Sequence, residues 1–213
     1  MKNPSNNTLA DVIEAIAAGQ MVIVVDDESR ENEGDLVCAA ETITAEQVNF
    51  MASHGKGLIC VALEDDRLEQ LALHKMVEDC SNHSPYGTAF MVSVDASDGI
   101  TTGISANDRA VTIARLADRE LGAEGFVKPG HVFPLQANAR GVLGRPGHTE
   151  AAVDLTKAAG LFPAGVICEI LNADGGMARM SDLEPYAEQH HLPICRVADL
   201  VAFRRQNETV PPT

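Results

Sequence analysis

The chain has 213 residues, of which 45% are hydrophobic, and a formal net charge of −15. A chain of this length and composition can bury about 70% of its unfolded surface, which excludes a disordered protein and a disulfide-stapled miniprotein. The acidity disfavours nucleic-acid partners and anionic membranes, whereas a small phosphorylated ligand needs only a local basic pocket.

The sequence also indicates where the protein works. The longest purely apolar run covers only residues 21–25, so no transmembrane helix is expected, and the polar N-terminus predicts no signal peptide. The cysteines are odd in number, scattered, and never spaced as a C-x-x-C pair, which suits a reducing cytoplasm and small core residues. We therefore expect a cytoplasmic protein. The five cysteines are Cys38, Cys60, Cys80, Cys168 and Cys195.

Apolar periodicity predicts alternating helices and strands along the whole chain. The first third of the chain is predicted to form a helix over 8–18, a strand over 21–25, an acidic loop over 26–35, a helix from the capping box of Thr44 and Gln47 to near Gly55, a strand over 57–63 and a helix over 64–73. A strand through Phe90, Val92 and Val94, a helix over 105–117 and a strand over 132–137 follow. The last third is predicted to form a helix over 149–159, a strand over 164–171, a helix capped by Ser181 and Glu184, a strand over 193–197 and a helix over 199–205.

No linker, composition shift or repeat divides these elements. We therefore expect one α+β catalytic domain over residues 8–205, in which a mixed β-sheet is covered by helices on both faces as three α/β/α layers. Residues 1–7 are expected to be disordered, and residues 206–213 to form a flexible tail.

The acidic loop is the sharpest local feature. Six carboxylates fall within residues 26–35, directly after a buried strand. Loops that follow strand ends commonly bind ligands, and crowded carboxylates require a cation or an arginine to offset their repulsion. Oxygen ligands without cysteine favour Mg²⁺ or Mn²⁺. The alternative is a solvated turn on an acidic surface.

A second candidate site lies at residues 141–150, where glycines, Arg145, His148 and a hydroxyl lead into a helix. Backbone amides and the helix dipole attract phosphate at such a place, and an arginine binds phosphate through two hydrogen bonds. The loop lacks the Gly-Lys-Ser/Thr ending of a Walker motif. The alternative is a glycine–proline turn followed by a helix cap.

Other residues are weaker candidates. His131 stands where a strand starts, and a lone histidine near a turn is usually structural or exposed rather than functional. Glu169 lies inside an apolar strand, where a buried charge needs a partner, unless it faces outward at an edge. Residues 101–105 offer hydroxyl contacts or only a helix cap, and Cys60 at a strand end can line a pocket.

Several motifs together resemble the 3,4-dihydroxy-2-butanone 4-phosphate synthase family. They occur in family order between residues 9 and 203, and their combination is highly specific. The motifs are DDESRENEGD at 26–35, GITTGISA at 99–106 with DR at 108–109, PGHVFP at 129–134, GHTEA at 147–151, PAGVICE at 163–169 and MAR at 177–179.

The resemblance implies a lyase of riboflavin biosynthesis. It converts ribulose 5-phosphate to formate and 3,4-dihydroxy-2-butanone 4-phosphate by enolisation, dehydration, a carbon shift and excision of C4. Many relatives are fused to a GTP cyclohydrolase II domain that carries a zinc-binding cysteine set. This chain has no such set, so a monofunctional form is expected. Two alternatives remain: a metal-dependent pentose-phosphate isomerase or aldolase, and a non-catalytic nucleotide- or RNA-binding module.

The resemblance also implies roles for individual residues. The metal, Mg²⁺ or Mn²⁺ with one or two ions per subunit, is expected on Glu31 and His148, and His131 and Glu169 are expected to be catalytic. It further implies a homodimer whose active sites lie at the subunit interface. The substrate is expected to contact Arg30, Glu31, Asp35, Arg145, Pro146, Gly147, His148, Thr149 and Glu169, and further pocket candidates are Glu33, Cys60 and Thr102.

Overall fold

A mixed sheet of eight strands forms the centre of the computed structural model, which describes residues 7–207. The strands are β1 (Val22–Val25), β2 (Gly34–Ala39), β3 (Cys60–Leu63), β4 (Ala89–Phe90), β5 (Val94–Ala96), β6 (Phe126–Gln136), β7 (Ala164–Glu169) and β8 (Ile194–Arg196). The strand order is β4-β6-β3-β7-β2-β1-β8, and β5 pairs with β6 beside this path. Among these described strands, β1–β8 and β3–β6 pair in parallel, and the other pairs are antiparallel.

Helices cover both faces of this sheet, which confirms the predicted three-layer α+β fold. The helices are α1 (Leu9–Ala17), α2 (Ala45–Phe50), which continues as a π-helical turn over Met51–Gly55, α3 (Asp65–Gln70), α4 (Ala106–Leu116), α5 (His148–Ala158), α6 (Met180–His190) and α7 (Val197–Asn207). Alternate strand residues point to opposite faces. Ile23 belongs to the core beneath α2, α4 and α6, whereas Val24 belongs to the core beneath α1, α5 and α7.

The capping predictions had mixed outcomes. The capping box of Thr44 and Gln47 is confirmed at the start of α2. The cap predicted at Ser181 and Glu184 is wrong, because α6 begins earlier, with Arg179 at the N-cap and the Asp182 carboxylate accepting from its amide at 3.0 Å.

Several predicted boundaries are also wrong. The acidic loop ends before Gly34, because that residue pairs with Val25 and opens β2, a strand that the pattern of polar residues hid. Strand β6 begins at Phe126 rather than at residue 132, and its Pro129 and Gly130 lie where the pairing with the short β5 shifts register. The apolar stretch 90–94 is split between β4 and β5.

The chain ends and the cysteines differ in part from the sequence predictions. Gln206 and Asn207, predicted to begin the tail, are helical; the other residues of that tail, 208–213, and residues 1–6 of the predicted disordered N-terminus lie outside the described residues. Four of the five unpaired cysteines are buried as expected, but Cys80 is exposed. No helix within residues 7–207 is long and apolar enough to cross a membrane.

Candidate active site

A pocket opens between the acidic loop, now defined as residues 26–33, the N-terminus of α5 and the middle of the sheet. It brings together nine of the residues that the sequence proposed for a site. The lining consists of Arg30, Glu31, Glu33, Asp35, Cys60, Thr88, Phe90, Leu135, Arg145, His148, Thr149, Ile167 and Glu169.

Asp26 shapes the acidic loop from within. Its fully buried carboxylate accepts hydrogen bonds from the Arg30 guanidinium at 2.8 Å, the Glu31 amide at 3.0 Å and the Glu33 amide at 2.9 Å. Because both carboxylate oxygens are engaged, Asp26 folds the loop back on itself, and Glu31 and Glu33, whose amides it binds, line the pocket.

Two residues from distant segments hold the loop from outside. The Arg179 guanidinium donates to the carbonyls of Glu31, at 2.7 Å, and Asn32. The Tyr86 hydroxyl donates to the Arg30 carbonyl at 2.6 Å, and the Arg30 guanidinium lies 4.8 Å from the centre of the Tyr86 ring. The loop geometry is therefore set by long-range contacts as well as by its own sequence.

Glu31, Asp35 and His148 form a compact charged group. The imidazole Nδ1 of His148 lies 3.5 Å from a Glu31 oxygen and 3.9 Å from Asp35 Oδ1. Burial by itself would lower the pKa of His148, but the surrounding carboxylates, with Asp35 contributing most, raise it to about 9. The His148 imidazole, together with Arg30, lowers the pKa of Glu31 to about 2 despite partial burial.

Asp35 has the opposite perturbation. Complete burial raises its pKa to about 7, and the neighbouring carboxylates of Glu169 and Glu31 add to that effect while His148 opposes it. Asp35 is thus a carboxyl group that can exist in either protonation state near neutral pH.

Two arginines flank the N-terminus of α5. A Cβ atom added to Gly147, the N-cap residue, would lie 2.7 Å from Arg145 Nη1 and 2.8 Å from Arg30 Nη2. Glycine therefore allows both guanidinium groups to approach the first turn of the helix, where the amides and the dipole attract anions. The arrangement can bind a phosphate group.

Glu169 closes the opposite side of the pocket. It ends β7 opposite Asp35 of β2, and its Oε2 accepts a hydrogen bond from the Leu58 amide at 2.8 Å. A Cβ atom on Gly57 would lie 2.5 Å from that same oxygen. The partner that a charge in an apolar strand requires is therefore a backbone amide, brought close by a glycine.

Four of the residues taken from the resemblance do not line the pocket of their own chain. His131 lies on β6, with its side chain 43% exposed, and bonds Asp95. Thr102 is exposed in the loop before α4, and Pro146 is exposed beside the arginines. Gly147 also does not line it directly but leaves room for the two arginines.

The sequence missed several participants. Thr88, Phe90, Leu135 and Ile167 line the pocket, but nothing in their local pattern distinguishes them from other strand residues. Tyr86 was missed as well, although an aromatic residue beside a glycine in a polar segment was a usable signal.

Three side chains meet the geometry of a metal site: ligand atoms of Asp26, Glu31 and His148 lie within 4.8 Å of one another. The oxygens of Asp26 are already engaged by the loop, which favours Glu31 and His148 as direct ligands. His148 Nε2 and Asp35 Oδ1 are buried and lack a hydrogen-bond partner in the described part of the chain. A carboxylate-rich group with such unpartnered atoms fits a hard divalent cation.

Comparison with known proteins gives a consistent result. A family model described as 3,4-dihydroxy-2-butanone 4-phosphate synthase matches residues 10–203. The riboflavin biosynthesis protein RibBA of Aquifex aeolicus is 55% identical over 96% of this chain and 50% of its own length. The 3,4-dihydroxy-2-butanone 4-phosphate synthase of Agrobacterium fabrum is 53% identical over 92% of this chain and 91% of its own.

A solved structure agrees with these relatives. A 3,4-dihydroxy-2-butanone 4-phosphate synthase in complex with two magnesium ions superposes with a TM-score of 0.91 at 43% identity, covering 95% of this chain and 98% of the other. The chain spans about half the length of the first curated relatives that it matches.

Proposed function

The chain belongs to the 3,4-dihydroxy-2-butanone 4-phosphate synthase family, and we propose that it converts D-ribulose 5-phosphate to formate and 3,4-dihydroxy-2-butanone 4-phosphate for riboflavin biosynthesis. The observation that carries this proposal is the convergence of a carboxylate–histidine group and a two-arginine anion site in one pocket. A phosphorylated ketose needs an anion site for its phosphate and a metal-binding group near its carbonyl oxygen. The unpaired cysteines suit a cytoplasmic location.

Glu31 and His148 are the proposed ligands of Mg²⁺ or Mn²⁺, with one or two ions per subunit. Both carboxylate oxygens of Asp26 already accept hydrogen bonds within the loop, which leaves Glu31 and His148 as ligands. Further support comes from the buried His148 Nε2, which has no hydrogen-bond partner in the described residues, and from the structural relative that holds two magnesium ions. A divalent ion bound there supplies Lewis-acid polarisation of sugar oxygens.

The substrate phosphate is assigned to Arg30, Arg145, the backbone at Pro146 and Gly147, and Thr149 at the start of α5. Anchoring the phosphate at one end of the pocket orients the sugar toward the carboxylates at the other end. Asp35 is proposed to contact a sugar hydroxyl, because its buried Oδ1 faces the pocket without a partner. Glu33 and Cys60 complete the wall around the sugar.

Proton transfer during enolisation and dehydration is assigned to Glu169 and His131. Glu169 lines the pocket, and the Leu58 amide fixes one of its oxygens while the side chain remains only half buried. A positioned carboxylate and an imidazole are suitable groups for successive general acid and base steps.

We propose that the active protein is a homodimer in which His131, and Thr102 next to Gly103, reach the pocket of the partner subunit. His131 is exposed and does not line its own pocket. Ile104 and Val127, on the same loop and strand, are exposed apolar side chains at 53% and 49%. An apolar patch around a functional group is typical of a subunit contact.

The test is ribulose 5-phosphate labelled with ¹³C at C4, incubated with the protein and Mg²⁺. We expect [¹³C]formate and an unlabelled-formate background no greater than that of a no-enzyme sample. An isomerase would yield a labelled pentose phosphate without formate, and an aldolase would yield two- and three-carbon fragments. Either outcome, or no turnover together with nucleotide binding, would contradict the proposed reaction.

A further inference from the structure

His131 is held at two points by one buried carboxylate. The backbone amide of His131 donates to Asp95 Oδ1 at 2.9 Å, and the ring Nδ1 lies 2.7 Å from Asp95 Oδ2. The Asp95 side chain is 8% exposed and the His131 side chain 43% exposed. The pair therefore has a buried end at the carboxylate and an open end at the imidazole.

Two glycines from separate segments make this arrangement sterically possible. A Cβ on Gly103 would collide with the Asp95 carboxylate and would lie 2.6 Å from His131 Nδ1, and Gly103 has a φ of +93°, which favours glycine. A Cβ on Gly130 would collide with the backbone at Val94 and Asp95, where the pairing of β5 with β6 shifts register.

The loop that carries Gly103 is itself fixed over the pair. The buried Asp108 carboxylate, in the first turn of α4, accepts from the Thr101 hydroxyl at 2.7 Å, the Thr101 amide at 3.1 Å and the Gly103 amide at 3.1 Å. These bonds hold the Gly103 backbone against the Asp95 carboxylate. Residues 99–109 do not line the pocket, and their role in this structure is to hold Gly103 against Asp95 and His131.

We propose that Asp95 is a positioning residue that fixes the tautomer and orientation of His131, with Gly103 packed against the pair. A carboxylate can only accept, so Nδ1 carries the ring proton and Nε2 retains the lone pair. Nε2 is then the atom directed outward, ready to take a proton from substrate, and Asp95 stabilises the imidazolium that results. This inference rests on the catalytic role proposed for His131.

The tautomer can be measured in the resting protein, without substrate or metal. In protein labelled with ¹⁵N at histidine, the neutral His131 ring should show the shifts of a protonated Nδ1 and an unprotonated Nε2. His131→Gln identifies the resonance. If the neutral ring carries its proton on Nε2, the inference is wrong, whatever the activity of the protein.

Asp95→Asn provides the functional arm. Asparagine keeps the size of the side chain but can turn an amide donor toward Nδ1, which favours the other tautomer. We expect kcat to fall at least about 100-fold, because the wrong tautomer of a catalytic histidine cannot accept the proton while the site geometry is kept. KM should change by less than about threefold. Asp98→Asn, an exposed change near the same strand, should keep the parent kcat.

The two arms separate failure of this inference from failure of the proposed function. An Nδ1–H tautomer that switches in Asp95→Asn, in a protein that releases no formate, would preserve the positioning role and reject the reaction. Near-parental kcat in Asp95→Asn, or a rise in KM alone, would overturn the inference. If Asp95→Asn does not fold, as circular dichroism would reveal, the tautomer of the parent protein decides.

Discussion

Arg145 donates from Nη1 to the Glu150 carboxylate at 2.7 Å, and Glu150 is almost fully buried in the first turn of α5. The other nitrogens of the guanidinium donate to the Tyr86 carbonyl at 3.0 Å and to the Thr88 hydroxyl at 2.8 Å. Arg145 is therefore oriented before any ligand binds, and less conformational entropy is lost when phosphate is captured.

Arg145→Ala should raise KM for ribulose 5-phosphate by roughly tenfold to a hundredfold, because a hydrogen bond to a charged group contributes about 1.5–3 kcal/mol. Arg140→Ala is the matched control, since Arg140 is exposed on the same loop and does not line the pocket. Steady-state kinetics on both variants decide the matter. Equal, small effects would place the phosphate elsewhere.

Glu150→Gln should raise KM less than Arg145→Ala does, because the guanidinium remains but loses its anionic anchor. One oxygen of Glu150 also accepts from the Asn138 amide at 3.0 Å, so the loop before α5 should loosen. We expect a lower melting temperature together with the rise in KM. A change in kcat alone would mean that Glu150 acts on the reacting carbons rather than through Arg145.

The comparison of sequence and structure shows where local pattern is informative. Period-two and period-3.6 runs predicted the layers, and the capping box at Thr44 marked α2, because these signals depend on nearby residues only. The start of β2 was hidden because Gly34 and Asp35 read as loop, yet pairing across to β1 and β7 makes them strand. Register between distant strands has no local signature.

The same distinction applies to the site. Carboxylate crowding indicated a cation at the acidic loop, and glycines with Arg145 indicated an anion site, both from chemistry within a few residues. The apolar wall formed by Phe90, Leu135 and Ile167 comes from three strands that meet only in the sheet. His131 required the resemblance, because its partner Asp95 is far away in the chain.

Glu31→Gln should abolish both turnover and Mn²⁺ binding, since it removes the carboxylate assigned to the metal. Calorimetric titration of Mn²⁺ into the protein measures the second effect independently of activity. The melting temperature should fall, because Glu31 also bonds the Arg30 guanidinium at 2.6 Å and glutamine weakens that pair. Glu28→Gln, an exposed change in the same loop, should bind Mn²⁺ like the parent. Undiminished Mn²⁺ binding by Glu31→Gln would reject the ligand assignment.

Asp108 should make a stabilising contribution that depends on pH. The Thr101 hydroxyl, followed by the amides of Thr101 and Gly103, outweighs the opposing desolvation and lowers the pKa of Asp108 from 3.8 to about 2. A carboxyl group with a lower pKa in the folded state stabilises the protein above its unfolded pKa, and this contribution is lost as the pH falls toward 2. Asp108→Asn should thus be less stable than the parent at pH 7, and the difference should shrink below pH 4. Urea unfolding at pH 7, 5 and 3.5 tests this, and a difference that grows on acidification would contradict it.

The proposed dimer makes a quantitative prediction about mixed subunits. If His131 works in the partner's pocket, inactive Glu31→Gln and His131→Ala chains should complement each other after exchange. About half of the dimers in an equal mixture are mixed, and each mixed dimer has one intact site and one doubly altered site, so about a quarter of the parental activity should return.

A mixture of Glu31→Gln with Glu169→Gln is the matched control, because both residues line the pocket of a single chain and no intact site can form. Formate release is measured after native mass spectrometry has established the fraction of mixed dimers. Recovery in both mixtures, or in neither, would show that His131 and Glu31 do not meet across the interface.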